Sequence, residues 1–168
     1  MTQMRQIAAV LVLLCPLVAF SAEIPDAKFY TGAADGGMAE VEMGNLAQQK
    51  AQSQSVKDFG AQMVKDHSAA NKKLKTLALS KNISLPAGPS AAENAVKAKL
   101  QALSGQSFDQ SYIRNMIKDH EEDIAEFKRE AATGEDPDAR AFATAFLPML
   151  ESHLKQIQAI AADTRGIN

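Results

Sequence analysis

The three histidines of the chain each close the same five-residue pattern: Met63-Val64-Lys65-Asp66-His67, Met116-Ile117-Lys118-Asp119-His120 and Met149-Leu150-Glu151-Ser152-His153. Residues four apart share a helix face, so each segment carries a thioether one turn before an imidazole. Imidazole is the commonest metal-binding side chain, and a thioether is a soft donor that suits copper. The chemistry offered is a metal site or a buried polar network. No nucleophile-and-base pair, phosphate-binding glycine loop or dinucleotide fingerprint occurs. A redox enzyme built on a metal is the one catalytic reading left open, and the balance leans against an enzyme.

The first two copies belong to a longer echo. Phe59-x3-Met63-x2-Asp66-His67-x6-Leu74 returns 53 residues later as Tyr112-x3-Met116-x2-Asp119-His120-x6-Phe127. That is too short for a solenoid repeat and fits two helices with matched roles in one bundle.

The elements that must position these residues follow from periodicity and punctuation. Helices are expected over 26–52, after Pro25, and over 53–81, where Ser53 or Ser55 can cap the first turn. Pro86, Gly88 and Pro89 break the chain, a short helix covers 91–103, and Ser104-Gly105 ends it. A helix over 107–132 follows, then a turn at Thr133-Gly134-Glu135. The last helix starts with Asp136 as N-cap and Pro137 in its first position, and runs to about residue 164. Two hairpins joined by a Pro/Gly loop with a short extra helix predict an all-α, ferritin-like four-helix bundle with one long crossover. An up-and-down bundle with a fifth helix outside is the alternative.

Apolar seams place the histidines inside. Val56, Gly60, Met63, His67, Ala70, Leu74 and Leu77 alternate at spacings of four and three; Ile113, Met116, His120, Ile124 and Phe127 do so in the next long helix. Phe142, Phe146, Met149, His153, Ile157 and Ile160 form the third seam. In the first helix, at about 100° per residue, Glu40 falls on the side of Phe29, Gly36, Met43, Gly44 and Ala47, whereas Glu42 points away. The Gly and Ala neighbours of Glu40 would let a facing helix approach closely. Counting from the turns puts Glu40, His67, His120 and His153 at one depth to within about a helical turn. Met43, Met63 and Met116 then lie on one side of that layer and Met149 on the other, more simply as core filler than as ligands. Pro148, inside the last helix, removes one backbone hydrogen bond and is expected to kink it.

Residues 1–22 read as a secretory signal: Arg5, an apolar run of 12 residues from Ile7 to Val18, then the small residues of Ala19-Phe20-Ser21-Ala22. The run is short for a membrane span. The remainder, 23–168, suits one domain, exported and either periplasmic or associated with an outer membrane. Cys15, the one cysteine, falls in the signal, which removes disulfides and cysteine-based sites. Without Arg5, 17 Lys and Arg face 20 Asp and Glu, about −3 overall. The Lys72, Lys73, Lys75 cluster is then a solvated face, and no nucleic-acid partner is expected.

A family resemblance covers essentially the whole of this remainder. Ala39-Glu40-Val41-Glu42-Met43-Gly44-x-Leu46-Ala47, the Val56-to-Leu74 stretch, Phe108-Asp109-x2-Tyr112, Met116-x3-His120 and Leu147-Pro148-x-Leu150-x2-His153-Leu154 together resemble the domain of unknown function 4142 family. That resemblance implies an exported bacterial protein with a ferritin-like helical fold and no agreed activity.

Two functional expectations follow. In one, Glu40, His67, His120 and His153 bind a transition metal ion, Cu, Zn, Fe or Mn. Asp123 is the favoured extra ligand, and Asp66, Asp119 or Asn71 lie further out. A ferritin-type di-iron centre is not expected, because Val64, Ile117 and Leu150 stand where Glu-x-x-His would need its acids. In the other, the layer is only a buried hydrogen-bonded network, with Asp66 or Asp119 orienting a ring. The chain would then be a structural or stress-related envelope protein with an unidentified protein partner.

Overall fold

The computed structural model describes residues 24–165; the expected signal segment, with Cys15, lies outside them. The described residues form five helices and no strand: α1 Ala27–Lys50, α2 Gln54–Ser80, α3 Ala91–Gln101, α4 Gly105–Thr133 and α5 Pro137–Arg165. None is long and apolar enough to cross a membrane.

Several helix ends differ from the expectation for local reasons. Ser53 takes the N-cap position of α2 without a side-chain capping bond. Asp109 of α4 accepts hydrogen bonds from the backbone N–H groups of Gln52 (3.0 Å) and Ser53 (2.8 Å), which fixes the α1–α2 turn from another element. Ser104-Gly105 opens α4 rather than closing α3: Ser104 is its N-cap and Gly105 sits at φ 57°, a conformation glycine adopts freely. Asp136 does cap α5, its Oδ1 accepting from Asp138 N at 3.0 Å. Pro148 lies within α5 without ending it.

α1 packs along α2 and α4 along α5; α1 also touches α4, and α2 touches α5. Lys81, just past α2, reaches Asp136 at the start of α5 (2.8 Å), while Asp109 near the start of α4 holds the α1–α2 turn. The connection 81–104 therefore travels from one end of the bundle to the other. This is the ferritin-like topology with one long crossover. Asp35 accepts from Ser90 N (2.5 Å), Glu42 pairs with Lys97 (2.5 Å), and Lys50 Nζ donates to the carbonyls of Gln101 (2.6 Å) and Leu103 (3.1 Å). Those contacts pin α3 along the outside of α1.

Small residues set the spacing of the first hairpin. A Cβ on Gly44 would lie 2.6 Å from the Gly60 carbonyl oxygen, and one on Gly60 would lie 2.7 Å from that of Gly44. The two backbones touch where no other residue leaves room. The core divides into two apolar bodies. One holds Met43, Met63, Phe108, Tyr112 and Met116; the other holds Phe29, Leu74, Phe127, Phe142 and Leu150, with Met149 packed against it. Glu40, His67, His120 and His153 belong to neither, and all are buried.

Candidate metal centre

Each long helix delivers one polar side chain to the middle layer: Glu40 from α1, His67 from α2, His120 from α4 and His153 from α5. The ring centroids of His67, His120 and His153 lie 5.5 to 5.9 Å apart, and the Phe59 ring stands beside His120 and His153 at 6.4 and 6.2 Å. One ligating nitrogen from each histidine lies within 4.8 Å of those of the other two. Among the described residues, this is the one group of three or more His, Cys, Asp or Glu brought so close together.

Each ring uses one nitrogen within the protein. His67 Nδ1 lies 2.7 Å from Glu40 Oε2. His120 Nδ1 donates to the carbonyl oxygen of Met116 at 2.9 Å, with Glu40 Oε1 at 3.4 Å. His153 Nε2 donates to Asp66 Oδ2 at 3.0 Å. The opposite nitrogens, His67 Nε2, His120 Nε2 and His153 Nδ1, are buried and have no protein hydrogen-bond partner. A histidine that gives one N–H to a carboxylate or carbonyl presents a lone pair from the other, the usual state of a metal-bound imidazole. The Met-x3-His spacing thus has a direct use at His120, where the residue one turn earlier supplies its backbone oxygen rather than its sulfur.

Electrostatics divides the three rings. Burial pushes His153 down to about 4, only partly opposed by its bond to Asp66. Burial also lowers His120, against the pull of Glu40. His67 goes the other way: burial opposes its charge, but the Glu40 carboxylate beside it prevails and raises it. Glu40 is correspondingly held below its usual range, because the three imidazoles outweigh its own burial. The Glu40 carboxylate thus favours a proton on His67, while burial favours neutral rings at His120 and His153. Neither Glu40 oxygen receives an aligned hydrogen bond.

The other residues read from the sequence fall as follows. Glu42 is half-exposed on the outer face with Lys97. Asp123 is half-buried one turn beyond His120, facing Gly36, and stands outside the three-histidine group, as Glu40 does. Asp119 bonds Asn115 (2.6 Å), not a ring; burial and then the Glu40 and Glu93 charges push it up to about 7. Asn71 packs against the bare backbone of Gly37. Asp66 orients the His153 ring from across the α2–α5 contact. Glu93 went unnoticed in the sequence. It lies on α3, and together with Asp119, Glu122 and Asp123 it lines a cleft whose wall includes Glu40. Only the path of the crossover puts it there, so no local signal could have found it.

The fold recurs in solved proteins. CopM in its Cu(I)-bound form superposes with a TM-score of 0.69 at 18% identity, over 82% of this chain and 96% of that one. Its Ag-bound form gives 0.66 at 20% identity over the same shares. A DUF305 fragment from Deinococcus radiodurans gives 0.73 at 10% identity, over 82% of this chain and 95% of that one. At such identities the likeness is one of fold. No curated protein sequence matches the chain. The family described as Domain of unknown function (DUF4142) matches over residues 18–160, and the chain belongs to it.

Proposed function

We propose that the chain is an exported protein that binds one copper ion through His67, His120 and His153, with Glu40, Asp66 and the Met116 carbonyl orienting the rings. Two observations carry this reading: one nitrogen of each ring lies within 4.8 Å of those of the other two, and each ring, held at one nitrogen, keeps the other buried without a protein partner. Bound there, copper supplies a one-electron couple or a stored cation; the chain itself supplies the donors, the buried pocket and the carboxylate that balances charge.

Copper is preferred for chemical reasons. Three nitrogen donors suit it, copper(II) stands highest in divalent affinity, and hard metals such as manganese favour carboxylate-rich sites. CopM, which shares the fold, has been solved with Cu(I), Cu(II) and Ag. Export rests on the signal-like 1–22 segment and on the family resemblance.

A network with no metal is the second reading, favoured by the Glu40–His67 and Asp66–His153 contacts that join α1 to α2 and α2 to α5. It leaves three buried nitrogens unsatisfied, each at a cost of about 1 to 3 kcal/mol, whereas an ion satisfies all three. The test is X-ray absorption on protein loaded with one equivalent of copper. Three imidazoles around the metal support the metal reading; failure to retain copper returns the layer to a structural network.

A further inference from the structure

One flank of the polar layer is reached from outside by a cleft between α1, α3 and α4. Its volume is about 70 Å³, and its lining is Gly36, Glu40, Met43, Glu93, Asp119, Glu122 and Asp123. Exposure falls along it: Glu122 is exposed, Glu93, Asp119 and Asp123 are intermediate, and Glu40 is 2% exposed. Lys118, paired with Glu122 at 2.7 Å, is the cation at the rim. Gly36 keeps one wall open, since a Cβ there would have only Asp123 Oδ1 within 4 Å, at 3.9 Å.

Three features bear on what this cleft does. Its carboxylates do not converge: the close group of potential ligands among the described residues is the three histidines, so the acids offer no ready chelate. Glu40 is more than nine-tenths buried, has no aligned hydrogen bond on either oxygen, and lines the cleft while lying 2.7 Å from His67 and 3.4 Å from His120. Two of the acids come from elements that the crossover brings together, Glu93 on α3 and Glu122 on α4. A low-dielectric cleft lined by one sign of charge concentrates the opposite ion and raises its association rate.

We propose that this cleft is the access route for a metal cation toward the three-histidine centre, with Glu93 and Glu122 drawing the ion inward and the buried Glu40 carboxylate at its inner end. The proposal rests on the metal reading above and adds where the ion passes. Met43 also lines the cleft.

The test is the rate of Cu²⁺ uptake by the full folded chain, followed by quenched flow with a colorimetric chelator reporting free copper, at low and high ionic strength. The double variant Glu93→Gln/Glu122→Gln is compared with Asp58→Asn/Asp163→Asn, which makes the same charge change at exposed positions outside the cleft lining. Circular dichroism checks that both fold. The cleft variant is expected to take up copper at least about threefold more slowly at low salt, to lose most of that difference at high salt, and still to bind one ion. The control pair should match wild type. Equal slowing in both variants, or none in either, overturns the route while leaving the copper centre intact. A wild-type protein that binds no copper at equilibrium overturns the centre itself and the route with it.

Discussion

At the scale of single residues, the histidines and Glu40 were readable because helical periodicity fixes which way a side chain points: Glu40 and Glu42, two apart, end on opposite sides. What periodicity does not fix is contact between helices. Asp66 follows Lys65 on the flank of α2, about 100° from His67, and its role depends on α5 passing close enough for His153 Nε2 to reach it at 3.0 Å. Glu40, expected among the ligands, lies 2.7 Å from His67 Nδ1 and 3.4 Å from His120 Nδ1, and in the copper reading it orients those rings. Ring-orienting partners are worth about 10- to 100-fold in metal affinity. Asp66→Ala should therefore weaken copper binding by about that factor in a chelator-competition titration while keeping one ion per chain. Wild-type affinity in that variant would show that Asp66 does not hold the ring.

Among the elements, the long helices were legible from their seams and from Pro137, whereas their ends depended on neighbours. Ser53 carries the right side chain for a cap but makes no capping bond, and Asp109 of α4 holds the turn before it. Gly105 looks like a stop signal and serves as a start, because the turn between α3 and α4 needs a positive φ. The glycines of α1 suggested close packing without naming the partner; the structure pairs Gly44 with Gly60, backbone against backbone. Gly60→Ala would place its methyl 2.7 Å from the Gly44 carbonyl oxygen and 2.8 Å from Ala47 Cβ. It should destabilise the protein by about 1 to 3 kcal/mol in urea denaturation, the usual cost of overpacking. Full stability in that variant would contradict the packing of α1 on α2.

For the whole molecule, the polar layer lies between two apolar halves, and each half is closed by polar contacts at its end of the bundle. At one end Asp136 accepts from Tyr30 (2.9 Å) and Lys81 (2.8 Å), while its own N–H donates to Asp26 (2.6 Å). Beside it Glu130 is pushed up to about 7, by burial first and then by Asp26 and Asp136. An unfolded chain ionises this carboxyl near 4.3, so between that value and about 7 the folded state holds the extra proton. Stability should fall as pH rises through this window and level off above it. Glu130→Gln removes the penalty: the variant should be more stable than wild type at pH 8, by on the order of 1 kcal/mol, and equal to it near pH 4. Thermal melts at the two pH values decide it, and a gain of equal size at both would contradict this origin. These end contacts were not legible in advance, because they join residues more than 50 positions apart in the chain through turns whose paths carry little pattern. The copper centre in the middle of the bundle is tested by the X-ray absorption spectrum of the protein with one equivalent of copper, taken on wild type and on His120→Ala. Three imidazole ligands are expected in wild type and the loss of one in the variant; copper that does not stay bound, or a ligand shell unchanged by His120→Ala, would rule out the three-histidine centre.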